Sequence, residues 1–352
     1  MSAPRLPLVV TADPDLLDDL LRLAAAGGTQ VDVAPDPVAA RSRYGLAPLV
    51  MLGADQLEAS RRARLPRRTR VAVVSRGELP PALTEIARRS GAEHIVELPT
   101  AEAWVVDRFA EQLDQPVGRV LAVIGGRGGA GASILSGGLA VTAAGAGHRT
   151  LLIDGDPLGG GLDLLLGWED EGGLRWSSLA EADGRVDPPS LIGSLPHRGD
   201  LVLLSFAREG QARTVPAEAM AATIDAARRA RDVIVADVPR QLDDAAVLAI
   251  ECADRALLVV PAEVRAVAAA SRVARTVRAH RDELSVVVRG PAPGRLKPRD
   301  VASALGLPLA GSLRPEPAMC QALERGVPPG QTGKGELADL CRRLVGELME
   351  AA

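Results

Sequence analysis

Short apolar runs alternate with helical stretches along almost the whole chain, and they form two successive series. The first series occupies residues 1–113 and the second occupies residues 119–352. Strands that alternate with helices at this spacing are typical of a parallel sheet with helices on both faces. Continuous apolar runs in the second series, such as RVLAVIGG and DVIVADVP, indicate strands buried on both faces. The sequence therefore predicts two doubly wound α/β domains in tandem, joined by a linker over residues 114–118.

Composition limits the chemistry that these domains can support. Hydrophobic residues make up 47% of the chain but aromatic residues only 2%, so the cores must consist mainly of Ala, Val, Leu and Ile. Binding of nucleic acid by base stacking on aromatic side chains is therefore not expected. The formal net charge of -4 also gives no overall attraction to nucleic acid or to an anionic membrane.

The cysteines and the N-terminal sequence bear on the cellular compartment. Cys252, Cys320 and Cys341 are far apart and odd in number, which excludes a simple disulfide framework or a CxxC pair. The N-terminus lacks a basic segment followed by an apolar run, and no uninterrupted apolar stretch reaches the roughly 18 residues of a membrane span. We expect a cytoplasmic protein that reaches a membrane, if at all, through partners.

Polar residues at the ends of the first series of strands carry a resemblance to a known domain. Asp13 and Asp15 follow the first predicted strand, and Ser75 ends the fourth. This arrangement resembles the flavodoxin-like receiver of response regulators, which implies an aspartate at the end of the third strand and a lysine after the fifth. Here Asp55 is displaced by two or three positions, and Glu97 replaces the lysine. We expect a protein-interaction domain that is not phosphorylated; the alternative is an altered phosphorylation site at Asp55.

A glycine-rich loop follows the first strand of the second series. The pattern GxxxxGK[ST] wraps backbone N–H groups around phosphate oxygens, while its lysine reaches the β- and γ-phosphates and its Ser or Thr binds Mg²⁺. The chain retains every glycine and the serine of this pattern but has alanine at the lysine position. The predicted nucleotide-binding residues of the loop are Gly126, Arg127, Gly128, Gly129, Ala130, Gly131, Ala132 and Ser133.

Further segments in the expected order make the loop resemble the MinD/ParA branch of P-loop NTPases, over residues 118–345. TLLIDGDPLGGG is similar to the second motif of that branch, and DVIVADVP is similar to its Walker B strand. The resemblance implies that Asp154 lies near Mg²⁺, that Asp156 orients the attacking water, and that Asp237 lies in the outer shell of the metal. It implies a mostly parallel sheet and a homodimer. It also implies ATP or ADP with Mg²⁺ as the cofactor, the metal being held by Ser133, Asp154 and Asp237.

Two departures from the MinD/ParA pattern concern charge. Arg127 stands where the branch has a signature lysine that reaches a partner's phosphates across a dimer, and it retains a positive charge there. Arg289 stands where MinD proteins usually have asparagine. Loss of one positioned charge at a phosphoryl-transfer transition state costs about 3–4 kcal/mol, so the alanine at position 132 predicts very slow or absent hydrolysis. The alternative is a working ATPase in which Arg127 supplies the missing charge.

The acidic residues of the second series also allow a purely structural interpretation. Asp154, Asp156 and Asp237 fall at the carboxyl ends of strands, where open α/β sheets bind ligands. An aspartate at such a position can equally cap the next helix or loop.

Two charged or amphipathic segments lie outside these motifs. RRARLPRRTR, residues 61–70, contains six arginines and indicates a solvated loop, with a contact to an acidic partner, lipid headgroups or nucleic acid as the alternative. The segment 336–352 has an apolar helical face formed by Leu337, Leu340, Cys341, Leu344, Val345 and Leu348. Its polar face mixes acids with arginines, whereas an interfacial anchor favours Lys and Arg, so we expect it to pack on the domain or in a dimer.

A receiver-like domain joined to a MinD-like domain with an altered loop resembles the CpaE/TadZ group, and most closely the septum-site determining group of CpaE-like proteins from high-GC bacteria. This resemblance implies a factor that marks a cell pole or division site and recruits divisome or Tad/Flp pilus-assembly proteins. The sequence thus favours a scaffold or nucleotide-responsive switch with weak or no ATPase activity.

Overall fold

A computed structural model describes residues 6–66, 68, 70–110, 118–180, 192–208, 214–290, 294 and 296–350. The chain divides into two compact units, Ser2–Val117 and Gly118–Ala352. Residues 114–117 of the linker predicted over residues 114–118 lie outside the described residues.

The N-terminal unit is built around a five-stranded parallel sheet with strand order β2-β1-β3-β4-β5. Its strands are β1 (Leu8–Val10), β2 (Asp32–Ala34), β3 (Val50–Gly53), β4 (Val71–Arg76) and β5 (His94–Leu98). The helices are α1 (Pro14–Ala26), α2 (Pro37–Tyr44), α3 (Leu57–Arg62), α4 (Pro81–Arg89) and α5 (Glu102–Ala110). Two apolar clusters cover the two faces of the sheet, and β1 contributes Leu8 and Val10 to one cluster and Val9 to the other. The predicted flavodoxin-like architecture is therefore confirmed.

The described residues of the C-terminal unit form an eight-stranded sheet in the order β13-β12-β11-β6-β10-β7-β9-β8, in which only the β8–β9 pair is antiparallel. Its strands are β6 (Arg119–Gly125), β7 (Thr150–Asp154), β8 (His197–Arg198), β9 (Leu201–Leu204), β10 (Val233–Val238), β11 (Arg255–Pro261), β12 (Leu284–Arg289) and β13 (Leu309–Leu313). The helices in the described residues are α6 (Ala132–Gly145), α7 (Leu162–Leu166), α8 (Trp176–Ala180), α9 (Ala217–Ala230), α10 (Asp244–Cys252), α11 (Val264–Arg278), α12 (Pro298–Leu305), α13 (Pro317–Leu323) and α14 (Glu336–Glu350).

The central strand β6 shows why this sheet is apolar throughout. Val120 and Ile124 belong to the core on one face of the sheet, whereas Leu121 and Val123 belong to the core on the other. Both faces of the strand are therefore buried, as its continuous apolar run predicts. The mostly parallel α/β domain expected from the sequence is confirmed.

Helix α6 lies in the second of these cores, between the sheet and the C-terminal helix α14. Gly138 allows the two helices to approach, because a Cβ atom at this position would lie 3.2 Å from Cys341 Sγ and 3.3 Å from Leu337 Cδ2. The apolar face predicted for the C-terminal segment is buried against the domain and consists of Leu337, Leu340, Cys341, Leu344, Val345 and Leu348. Within the described residues, no helix is long and apolar enough to cross a membrane.

Candidate functional site

The glycine-rich loop connects β6 to α6 at the carboxyl edge of the sheet. Gly129 and Gly131 have φ angles of +68° and +98°, a region that glycine adopts at little cost. Gly126 anchors the start of the loop by donating its N–H to Val259 O at 2.9 Å, and Ala130 is buried beneath it. Ala132 is the first residue of α6. The sequence therefore folds here into a strand, a tight turn and a helix, the local structure that a phosphate-binding loop requires.

The backbone N–H groups at the beginning of α6 are available to a ligand. No acceptor among the described residues contacts the N–H groups of Ala132, Ser133 and Ile134, and the first helical hydrogen bond is donated by Leu135 to Gly131 O at 3.1 Å. Unpaired N–H groups and the positive end of the helix dipole attract anions. The loop thus fits a phosphate group despite the absence of lysine.

Asp154 and Asp237 lie side by side on neighbouring strands, since they are paired in the register of β7 and β10. Both side chains are buried, at 2% and 4% exposure. Asp154 accepts the N–H groups of Leu162 at 3.0 Å and Asp156 at 3.2 Å, and the indole of Trp176 donates to its backbone oxygen at 2.7 Å. Asp237 accepts the Ser136 hydroxyl at 3.0 Å. Two buried carboxylates next to a phosphate-binding loop suit a divalent cation.

Burial raises the pKa of both carboxyl groups. The pKa of Asp154 rises to about 7, through burial and then repulsion by Asp237. The pKa of Asp237 rises to about 6 through burial, although hydrogen bonds from Ser133 and Ser136 act in the opposite direction. A cation between the loop and these groups would favour their charged forms. In the described residues, no group of three or more His, Cys, Asp or Glu could hold a metal ion, so a cation bound here would need phosphate oxygens and water to complete its shell of ligands.

Asp154→Asn should stabilise the ligand-free protein by about 2 kcal/mol more at pH 8 than at pH 5. The pKa of Asp154 in the folded state, about 7, exceeds the ordinary value of 3.8. At a pH between these two values, the folded state therefore keeps a proton that the unfolded chain has released. The native stability therefore falls as the pH rises through this window, and the substitution removes that loss. Urea unfolding at the two pH values tests this, with the exposed Asp282→Asn as the control; an equal effect of Asp154→Asn at both would contradict it.

The capping role considered for the aspartates is realised for two of them. Asp154 binds the N–H of Leu162, the first residue of α7, and Asp156 Oδ1 accepts the N–H of Leu158 at 3.0 Å. A carboxylate oxygen that accepts one hydrogen bond retains a second lone pair. Capping is therefore compatible with the roles near Mg²⁺ and water that the sequence implies.

Arg127 is held by an acidic partner that the motif does not contain. Its Nη2 donates to both carboxylate oxygens of Glu263 at 3.1 Å, and its Nη1 donates to Gly128 O at 3.0 Å. Glu263 lies immediately before α11, 136 residues further along the chain. The charge of Arg127 is thus already paired in this structure.

Two further arginines lie beside the loop, at positions that the loop motif does not specify. Arg289, the last residue of β12, donates from Nη2 to Gly129 O at 3.1 Å. Arg240 follows β10, and its Nη2 would lie 3.8 Å from a Cβ atom on Gly128. In the sequence, Arg289 is marked by its replacement of the usual asparagine. Its contact with Gly129 depends on the position of β12 in the sheet.

The receiver-like unit brings Asp55 back to the end of β1. A short turn, Ala54–Gln56, places its carboxylate within 2.8 Å of both Thr11 Oγ1 and Ala12 N, which donate to it. The other candidates have local structural roles. Asp13 caps α1, Asp15 pairs with Arg76, Ser75 donates to Gly77 O, and Glu97 accepts the Leu79 N–H.

The arginine-rich run at 61–70 is partly used inside the N-terminal unit. Arg68 donates to Tyr44 O, and Arg62 pairs with Glu58 at 3.2 Å. Residues 67 and 69 lie outside the described residues. At least part of this run therefore stabilises the fold.

Comparisons with known proteins agree with this architecture. Residues 10–120 match the family described as Rv3660c-like, CheY-like N-terminal domain. Rv3660c of Mycobacterium tuberculosis is 39% identical over 345 residues, which cover 96% of this chain and 97% of that protein. The septum site-determining protein MinD of Chlorella vulgaris is 28% identical over 242 residues, 65% of this chain and 85% of that protein. The crystal structure of the cell division ATPase MinD of Pyrococcus furiosus superposes with a TM-score of 0.57 at 20% identity, covering 67% of this chain and all of that one.

The fold and the site thus define a CheY-like domain followed by an α/β domain of the MinD/ParA P-loop NTPase type. Its C-terminal domain resembles the septum site-determining proteins. Within this class, the similarity over nearly the whole length of both proteins shows that the chain belongs to the Rv3660c-like family.

Proposed function

We propose that the chain is a positioning factor of the septum-site determining type, which recruits division or Tad/Flp pilus machinery to a pole or division site. In this proposal the C-terminal domain binds ATP or ADP with Mg²⁺ and hydrolyses it weakly or not at all. The observation that carries the proposal is Ala132 at the start of α6, in a loop whose glycines and free N–H groups are otherwise in place. The narrower assignment to the CpaE/TadZ group is part of the proposal.

The nucleotide would bind at the carboxyl edge of the second sheet. The loop N–H groups would bind its phosphates, and Ser133, Asp154 and Asp237 would hold or orient Mg²⁺, whose chemistry is to neutralise phosphate charge. Asp156 would orient water if any hydrolysis occurs. The lysine would interact most strongly with the phosphate oxygens in the transition state, so its absence mainly destabilises that state. The backbone N–H contacts that bind the phosphates in the ground state remain. Binding with little turnover follows from this difference.

A working ATPase that depends on Arg127 is the competing hypothesis. Its guanidinium lies beside the loop, because it also donates to Gly128 O. However, it would have to leave Glu263, to which both of its Nη2 bonds are made. The present pairing therefore supports the weakly active or inactive alternative.

The N-terminal domain is the proposed surface for recruiting partners. Glu97 accepts a backbone N–H at the position where a receiver has its lysine, so the positive charge that answers phosphorylation in receivers is replaced by a negative one. We propose that this domain binds division or pilus-assembly proteins without phosphorylation, and that the chain forms a homodimer.

Calorimetry with Mg-ATP and Mg-ADP, together with phosphate release at dimer-forming concentrations, tests the nucleotide part of the proposal. We expect binding with phosphate release close to the protein-free background. Turnover at rates normal for MinD/ParA proteins would contradict it. If Arg127→Ala abolished such turnover and Asp156→Ala slowed it, the ATPase hypothesis would be correct. Absence of both binding and turnover would leave a scaffold that does not use nucleotide.

A further inference from the structure

The guanidinium of Arg289 lies directly against the part of the loop from which the lysine is missing. Its Nη2 donates to Gly129 O at 3.1 Å, and its Nη1 would lie 3.2 Å from a Cβ atom on Gly131, the residue that precedes Ala132. We propose that Arg289 replaces the absent lysine as the phosphate-binding cation of this loop, for a ligand with two or three linked phosphates. This proposal rests on the proposed function, because it assumes that the loop binds such a ligand.

The charge of Arg289 remains available for an anion. Within the described part of the chain, no acidic side chain lies at ion-pair distance from it, and its one hydrogen-bond acceptor is the neutral Gly129 O. A guanidinium carries five N–H donors, so most of them are free to bind phosphate oxygens. Arg289, without an acidic partner, and the N–H groups of α6, without acceptors, concentrate positive charge at the loop. An arginine with only a structural role would not need this arrangement.

The other arginines near the loop do not match this position. Arg127 is paired with both oxygens of Glu263. Arg240 is exposed, and its Nη2 would lie 3.8 Å from a Cβ atom on Gly128. No lysine precedes Lys297 in the sequence, so neither the loop nor the helix that follows it contains one. Of the two arginines that hydrogen-bond to loop carbonyls, Arg289 is the one without an acidic partner among the described residues.

The backbone of Arg289 is held firmly enough to position this contact. The residue ends β12, whose preceding residues Val286, Val287 and Val288 are fully buried. The N–H of Ala262 donates to Arg289 O at 2.9 Å, and the N–H of Gly290 donates to Leu313 O at 2.9 Å. Because the backbone of Arg289 is fixed, only its side chain must be ordered on binding, and the planar fork of the guanidinium suits two phosphate oxygens at once.

The test compares Arg289→Gln with Arg278→Gln, which removes an exposed arginine at the end of α11. Calorimetry is performed on the full chain with Mg-ATP and, separately, with Mg-tripolyphosphate, which has no base. A charge-assisted contact to phosphate predicts that Arg289→Gln weakens both ligands about 10- to 100-fold. Arg278→Gln should change neither by more than about threefold. Thermal unfolding of both variants checks that they are folded.

Three results would overturn the proposal. Unchanged or tighter binding of both ligands by Arg289→Gln would show that this arginine is neutral or obstructive. A loss confined to ATP would place it on the base instead of the phosphates. Absence of binding by the native protein would overturn both this proposal and the nucleotide part of the proposed function, whereas binding that survives Arg289→Gln would overturn this proposal alone.

A double variant separates loss of charge from a general disturbance of the loop. Ala132→Lys introduced into Arg289→Gln returns one cation to the loop from its own backbone. If Arg289 acts as the substitute for that lysine, the double variant should recover at least about tenfold of the lost affinity for tripolyphosphate. Failure to recover, with the double variant folded, would contradict the substitution of one cation for the other.

Discussion

Replacing Ala132 by lysine should raise the rate of ATP hydrolysis about 100- to 1,000-fold. The loop glycines and Ser133 lie at the start of α6, and the buried pair Asp154 and Asp237 lies at neighbouring positions of β7 and β10. Arg289 contacts the loop at Gly129, so the element still missing is a positive charge at the start of α6, where it would respond to the negative charge that develops on the phosphate oxygens in the transition state. Lysine at the first position of α6 would supply it, because its side chain begins beside the free N–H groups of the helix.

Ala132→Gln is the matched control, because it adds a side chain of comparable length without a positive charge. Phosphate release under single-turnover conditions distinguishes the chemical step from product release. We expect the glutamine variant to remain near the native rate and the lysine variant to exceed both. Equal rates for the native protein and Ala132→Lys, in samples that bind ATP equally, would show that another group already supplies the charge in the transition state, or that a different element of the site limits hydrolysis.

Leu344→Ala should lower the free energy of unfolding by about 3 kcal/mol. Leu344 is 1% exposed and lies in the core formed by α6, α14 and one face of the second sheet. Its truncation removes buried apolar contacts and leaves a cavity in a closely packed region. The size of this effect follows from burial of the C-terminal helix against the domain, which leaves this apolar face unavailable to a lipid surface.

Arg342→Ala, on the exposed side of the same helix, is the control and should change the stability by no more than about 0.5 kcal/mol. Urea unfolding gives both values, and sedimentation with anionic lipid vesicles gives a second readout. A membrane anchor would show the opposite pattern, in which Leu344→Ala weakens vesicle binding and leaves the stability unchanged. That result would mean that α14 leaves the domain to bind lipid.

The receiver-like domain shows the boundary between what spacing predicts and what folding decides. The order of its strands and helices was evident from alternating apolar runs, because that pattern is local. In the sequence, Asp55 is displaced from the end of the third predicted strand, which suggested that no carboxylate occupies the place of the receiver's aspartate. In the structure, the turn Ala54–Gln56 returns its carboxylate to Thr11, whose hydroxyl lies 44 residues away in the chain. Such a compensation depends on the path of the chain between two strands.

By itself the sequence determined the fold class, the tandem order of the domains and the location of the altered loop, because periodicity and motif spacing are properties of neighbouring residues. Only the tertiary structure decided where the charges around that loop lie. Arg127 binds Glu263 across 136 positions, and Arg289 binds Gly129 across 160 positions. Both contacts arise because parallel strands that are distant in the chain end at the same edge of the sheet, and local spacing does not specify which ends meet.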